Sequence, residues 1–385
     1  MTYQFKPAWL DEDLVTYQQT VARFLDTEMV PHDEASRARG HVGHDIWRKA
    51  GEIGILCTDI PVEYGGGGGD FRHEALLHES MGHRGLTGMS PSVHSIVAHY
   101  FLNHGTEEQK THYLPKLARG ELVGAIAMSE PDAGSDLRGI RTRATSTGDR
   151  FKLNGSKTFI TNGYLAELVL VFARMDTPED NGRFSVFIVE TKKHKGFSVG
   201  NRLKKIGLKA QDTSELFFDD CFIPEENLVG QVNNGLKTLG EFFPQSNAYA
   251  GASILGVAVA CYEKSLLWAQ TRIQGGKPLI EHDGIRAQIA EMKMLIDASR
   301  AYIHRAAWLA DHQEHGWDLS LGALPKVMAS QAAWKIATWT LEIHGGHGYM
   351  KEAGVEKLIR DAAAFLHSDG VNRTLLLRAA NFMEW

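Results

Sequence analysis

The period of the apolar positions changes twice along the chain. From the start to about residue 122 the pattern is helical. Thr106-Glu107-Glu108-Gln109 forms a capping box ahead of His112, Tyr113, Leu114 and Leu117. From about 123 to 233 the period shortens to two. In "FKLNGSKTFI" (151–160) the spacing predicts a strand, an Asn154-Gly155 turn and a returning strand. "VLVFAR" (169–174), "FSVFIVE" (184–190) and "ELFFDDCFI" (215–223) add further strands. From 234 onward the pattern is helical again. Ile285, Ile289, Met292 and Ile296 follow steps of three and four, one stripe of an amphipathic helix. Stretches 248–273, 282–313 and 320–343 are long enough for an antiparallel bundle, and a last helix is expected at about 371–382. The reading is an α+β chain in three parts: an N-terminal α-helical domain (1–122), a central β-barrel or sandwich (123–233) and a C-terminal helical bundle (234–385).

Composition changes this picture little. The 385 residues suffice for two or three domains and a large core. A formal net charge of −6 argues against a general nucleic-acid binder. The basic stretch Lys192-Lys193-His194-Lys195, with Arg202, Lys204 and Lys205, reads as solvated hairpin ends ahead of a phosphate patch. Three scattered cysteines, Cys57, Cys221 and Cys261, fit a reducing cytosol. The N-terminal residues have no apolar core of a secretory signal, and no run of 18 apolar residues predicts a membrane span. A cytoplasmic location is expected.

Three stretches carry candidate chemistry. "AMSEPDAGSDLRG" (127–139) joins the helical part to the β part. Its small residues let backbone N–H groups approach a ligand, and its hydroxyls suit phosphate or ring atoms. Taken alone it is equally an inter-domain turn. In "NGSKTFITNG" (154–163), Phe159 and Thr161 are two apart on a strand and share a face, enough to flank a flat cofactor. In "EIHGGHGYMKEAGVEKLIRDA" (342–362), Gly345 and Gly346 interrupt a helix, as close backbone approach would require. His344 and His347 suggest a metal, but partners at ligand spacing are not evident. "YGGGGGD" (64–70) lacks the strand and spaced glycines of a nucleotide fingerprint and reads as a flexible connection.

Together, and in this order, these stretches resemble the acyl-CoA dehydrogenase superfamily of flavoproteins, several blocks being most similar to its long-chain branch. "AMSEPDAGSD", "LNGSKTFITNG", "IGLKAQDTSELFFDDCFIP" and "HGGHGYM…VEKLIRDA" are the matching blocks, and they span nearly the whole chain. The resemblance implies a helical domain, a β domain and a C-terminal four-helix bundle, with FAD bound and a homotetramer formed. It implies that Met128, Ser129, Gly134 and Ser135 meet the flavin and its phosphates, with Phe159 and Thr161 against the ring. Arg272 would reach the pyrophosphate of a neighbouring subunit's FAD. Glu342, where a cofactor-contacting Gln is common, and Gly345 and Gly346 would approach the same cofactor. Phe243, Asn247 and Gly370 would lie against substrate.

The reaction so implied is α,β-dehydrogenation of an acyl thioester. A carboxylate takes the α-proton and flavin N5 the β-hydride, and an electron-transfer flavoprotein reoxidises the cofactor. The usual base is a Glu before a Gly; here Asp369 precedes Gly370. The long-chain branch carries its base in a Pro-Gln-Glu-Arg stretch, which reads Pro244-Gln245-Ser246-Asn247 here. Of the two positions, Asp369 alone offers a carboxylate. Asp is shorter by one C–C bond, roughly 1.5 Å, and about 1 Å of misplacement costs on the order of 10²-fold in rate. A cyclic or branched acyl group is therefore expected. Asn247 replaces an arginine that commonly holds the carrier arm, which leaves room for an acyl-carrier-protein substrate. The rivals are a flavin oxidase of a non-thioester carbon acid such as a nitroalkane, and a catalytically inactive FAD-binding homologue.

Overall fold

The computed structural model describes residues 9–176, 183–312 and 318–381. Six helices come first: α1 (Glu12–Phe24), α2 (Asp33–Arg39), α3 (His44–Glu52), α4 (Phe71–His83), α5 (Pro91–His104) and α6 (Glu107–Ala118). The capping box ahead of α6 forms as expected. The Thr106 hydroxyl accepts from Gln109 N at 3.2 Å, and the Gln109 side chain accepts from Thr106 N at 3.2 Å. The glycine run is not a slack connection. Gly67, Gly68 and Gly69 donate to the carbonyls of Cys57, Ile60 and Thr58, so the run lies flat against the segment before it.

One eight-stranded sheet follows: β1 (Gly124–Ala127), β2 (Arg143–Ser146), β3 (Arg150–Thr161), β4 (Leu168–Met175), β5 (Phe184–Glu190), β6 (Phe197–Arg202), β7 (Thr213–Pro224) and β8 (Leu228–Val229). The order is β6-β7-β3-β2-β4-β5-β8, with β1 added parallel to β4. The ladder among the described residues runs from β6 to β8 without closing a ring.

The Asn154-Gly155 step is not a hairpin turn. It lies inside β3, where the register against β7 shifts between Leu153 and Gly155. Asn154 instead bonds across the sheet, donating to Asp220 Oδ1 at 3.0 Å and accepting from Asp220 N at 2.8 Å. Gly155 has φ +147°, and a Cβ there would lie 2.6 Å from Thr142 Oγ1. Asn-Gly here marks a bulge and a close approach, the alternative use of a strand glycine.

The C-terminal part holds α7 (Gly235–Thr271), α8 (Asp283–His312) and α9 (Leu319–His344), with the shorter α10 (Val355–Ala364) and α11 (Asn372–Ala380) against α9. Among the described helices, α7 alone is long and apolar enough to cross a membrane. Here its apolar length is spent on packing against α4, α8 and α9, and one core runs through the N-terminal helices and the bundle. A separate core fills the inner side of the sheet.

Two of the sequence blocks meet in space and fasten the bundle to the β domain. Arg360 Nη1 donates to Ile206 O at 2.6 Å, and Asp361 accepts from Leu208 N at 2.6 Å. Asp361 is buried and is also bonded to Lys357 Nζ at 2.9 Å. "IRDA" therefore fixes the chain that leads directly to Asp369. The basic residues after β5 and β6 are largely tied down locally: Lys192 pairs with Glu167 (3.2 Å), Lys193 with Glu190 (2.6 Å), and Arg202 donates to Arg39 O (2.6 Å).

Candidate active site

A cavity of about 670 Å³ opens where α4, α5, α7, the sheet and the α10–α11 loop meet. The structure brings Met128, Ser129, Gly134, Ser135, Phe159, Thr161, Phe243, Asp369 and Gly370 to its wall, together with Ser246.

One side of the cavity is built from β3 and the loop after β1. A second register shift, between Lys157 and Ile160, puts Phe159 at φ +60° and turns its ring out of the sheet. Phe159 is 68% exposed, a large apolar face inside a cleft rather than in the core. The hydroxyls of Ser129, Ser135 and Thr161 bond no other described residue. An exposed ring with unengaged hydroxyls around it suits a flat, polar-edged cofactor such as FAD.

A buried ion pair holds this loop. Lys157 is fully buried and donates to Glu130 Oε1 at 2.9 Å and to Met128 O at 3.0 Å. Glu130 also accepts from Arg141 N at 2.6 Å and Thr142 N at 2.9 Å. Burial pushes the Lys157 ammonium down to about 8. Burial alone would raise Glu130, but the Lys157 charge and its bonds outweigh it and hold the carboxyl below its ordinary value. Removing one partner of such a pair costs about 3–5 kcal/mol, because the other charge stays buried. Lys157→Met is expected to lower the melting temperature by several degrees and to weaken FAD retention. Adding Glu130→Gln should recover part of the stability, as thermal denaturation and flavin content would show.

Asp369 occupies the opposite wall, in the loop between α10 and α11. Its φ is +51°, a strained region for a side-chain-bearing residue that Asp tolerates better than most. Three contacts hold it there. Ser246 Oγ donates to Asp369 Oδ1 at 3.2 Å, Asn247 Nδ2 donates to Asp369 O at 2.9 Å, and Lys326 Nζ donates to Gly370 O at 2.8 Å. Burial pushes the carboxyl above the ordinary aspartate value, and the Lys326 charge and the Ser246 bond pull the other way. The carboxyl remains half-buried because its open side faces the cavity. Its own N–H has no acceptor among the described residues.

Asn247 is 1% exposed and lies behind Asp369 rather than at the cavity wall. Its Nδ2 holds the Asp369 carbonyl, whereas it was expected against substrate. Arg272, Glu342, Gly345 and Gly346 also lie outside the cavity, at the far end of α7 and α9. Arg272 caps α7 with its guanidinium 6.0 Å from the Trp268 ring centroid. His347 and His344 both stack on that ring, at 4.6 and 5.2 Å between centroids. The two histidines that suggested a metal are thus engaged as flat partners of Trp268. Gly345 has φ +56°, and a Cβ on it or on Gly346 would meet nothing within 4 Å. No close approach among the described residues requires the pair; at Gly345 the backbone angle does.

Sequence reasoning missed three residues at the site. Lys326 stands alone among apolar residues in "LPKVMAS", a pattern that marks a polar group facing a buried site, whereas His78 in "ALLHES" is followed by Glu79 and Ser80 and carries no such signal. Arg378 on α11 donates to Ser135 O at 2.9 Å and ties the helix after Asp369 to the loop after β1; nothing local signalled it.

Comparison with known proteins agrees with this geometry. Residues 11–121, 125–221 and 233–383 match the N-terminal, middle and C-terminal domains of acyl-CoA dehydrogenases. The mitochondrial long-chain specific acyl-CoA dehydrogenase of Sus scrofa is 36% identical over 349 residues, 90% of this chain and 80% of that protein. The crystal structure of an acyl-CoA dehydrogenase from Geobacillus kaustophilus superposes with a TM-score of 0.93 at 32% identity, covering 99% of this chain and all of that one. An acyl-CoA dehydrogenase from Bacillus anthracis, solved in complex with FAD, gives 0.91 at 28% identity over 98% of this chain and 68% of that one. With the family's three domains matched in order over nearly its whole length, the chain belongs to the acyl-CoA dehydrogenases, FAD-dependent oxidoreductases of acyl thioesters.

Proposed function

We propose that Asp369 is the base that removes the α-proton, and that the acyl group is cyclic or branched near the thioester. The observation that carries this reading is the held carboxylate: Asp369 faces the cavity while Ser246, Asn247 and Lys326 fix its loop. Bound FAD supplies the acceptor for the β-hydride. The protein's own part is to orient the thioester, take the proton on the Asp369 carboxylate and offer the Asp369 N–H to the thioester oxygen. Donors aimed at a developing oxyanion are usually the largest single contribution to such a step.

The shape of the acyl group follows from what is missing. Both positions that carry a Glu base in the family hold shorter side chains here, Asp369 and Ser246. The carboxylate recedes and space opens beside it, which bulk at the α- or β-carbon would fill. Met81, Leu86, Ile96, Leu239 and Phe243 supply apolar wall to the same cavity. Electrons would then pass to an electron-transfer flavoprotein. The far cluster of Arg272, Glu342, Gly345 and Gly346, away from this cavity, supports a homotetramer in which those residues serve a neighbour's FAD. Three free, buried cysteines support a cytoplasmic setting.

An anaerobic panel tests the substrate class. Straight, branched and cyclic acyl-CoAs, and the same acyl groups on a carrier-protein arm, are mixed with the oxidised protein while flavin absorbance is followed. Branched or cyclic thioesters are expected to reduce the flavin at least about tenfold faster than straight long chains. A straight long chain reducing it fastest would overturn the shape argument. Reduction by nitroalkanes alone, with peroxide released in air, would overturn the thioester reading.

A further inference from the structure

Lys326 on α9 is 0% exposed, yet it has no ion-pair partner among the described residues. Its Nζ donates to two neutral acceptors, Gly370 O at 2.8 Å and Asn372 Oδ1 at 3.0 Å. Asn372 is held in turn by Ser330, whose Oγ accepts from Asn372 Nδ2 at 3.0 Å. A lone buried ammonium is expensive, and a neutral donor would tether the loop at lower cost. The charge therefore needs a reason. The carboxylate that acts on Lys326 is Asp369, the residue next to the carbonyl it binds.

We propose that Lys326 is a positioning residue for the base: it pins the Asp369–Gly370 turn and, through its charge, keeps the Asp369 carboxylate ionised between turnovers. This rests on Asp369 being the base.

The other groups packed around Asp369 do not supply that charge. Ser246 and Asn247 on α7 are neutral. His78 on α4, whose charge would also favour the carboxylate, lies beside the buried Glu74 at 3.5 Å, so its charge when protonated is largely offset. Once the α-proton has moved from carbon to the Asp369 oxygen, the acid formed sits on the turn whose next carbonyl, Gly370 O, holds the Lys326 ammonium. The nearby positive charge favours release of the proton and restores the carboxylate for the next turnover. Burial pushes Lys326 itself down to about 8, so the arrangement works below the pH at which its own charge is lost.

Two variants separate the tether from the charge. Lys326→Gln keeps a donor for Gly370 O without the charge, and Lys326→Met keeps neither. Flavin absorbance and melting temperature establish that each holds FAD. The rate of anaerobic flavin reduction by the best thioester is then measured against pH. In both variants the acid limb is expected to move up by about one pH unit, a tenfold loss of ionised base on the acid side. Only Lys326→Met should also lower the plateau rate, because only it releases the turn. An unshifted acid limb in either FAD-bound variant overturns the inference. If Asp369→Ala still abolishes reduction, that failure leaves the assignment of the base standing.

Discussion

Asp369→Ala is expected to slow anaerobic flavin reduction by about 10²–10⁴-fold, the usual contribution of a positioned general base. FAD content should be unchanged, because the cofactor loop is held by the Glu130–Lys157 pair and by β3, not by Asp369. Asp369→Asn adds a test that a damaged fold fails. Burial raises the folded-state pKa of Asp369 above its unfolded value, so ionising it costs stability. The cost is absent below the unfolded value, grows as pH rises through the folded value and is complete above it. Asn removes it. The Asn variant should therefore melt higher than wild type at neutral pH, by an amount that vanishes in acid, while reducing flavin no better than the Ala variant. Loss of activity together with a lower melting temperature at every pH would point to structural damage instead.

Moving the base is the second large effect. Ser246 Oγ and Asp369 Oδ1 are 3.2 Å apart although they come from α7 and from the α10–α11 loop. The two places where the family resemblance puts a base thus converge on one point in the cavity. A glutamate at position 246 would bring its carboxylate to that point from the other side. Asp369→Ala/Ser246→Glu is expected to recover about 10–100-fold of the activity lost in Asp369→Ala. Ser246→Glu alone should do worse than wild type at neutral pH, because two carboxylates so close share one proton and the pair's acid limb rises. A double variant that binds FAD but is no faster than Asp369→Ala would show that the two positions are not interchangeable here.

Local rules went far along this chain where a local cause decides. The capping box at Thr106–Gln109 and the stripe from Ile285 to Ile296 on α8 are settled within a few residues, and both elements form. Asn154-Gly155 misleads because the same dipeptide suits a tight turn and a bulge, and only the partner strand β7 selects between them. The glycine run misleads for a similar reason: what fastens it is the segment at Cys57–Ile60. That Phe159, Thr161, Ser129 and Ser135 share one cavity was legible because one strand and one loop carry them. Asn247 was placed against substrate, whereas its amide holds the Asp369 carbonyl 122 residues away in the chain. Lys326 serves the same turn from 44 residues away. Pairings of that span are made by packing, and no spacing in the sequence encodes them.

The central claim, that Asp369 is the base, is tested most directly by isolating proton abstraction from hydride transfer. An acyl-CoA analogue that cannot give up its β-hydride is incubated with the oxidised, FAD-bound protein in deuterated water, and loss of the α-proton signal is followed by NMR. Wild type is expected to exchange the α-proton, Asp369→Ala to be about 10²-fold slower or more, and Asp369→Ala/Ser246→Glu to regain exchange. Exchange in Asp369→Ala at near the wild-type rate would contradict the account.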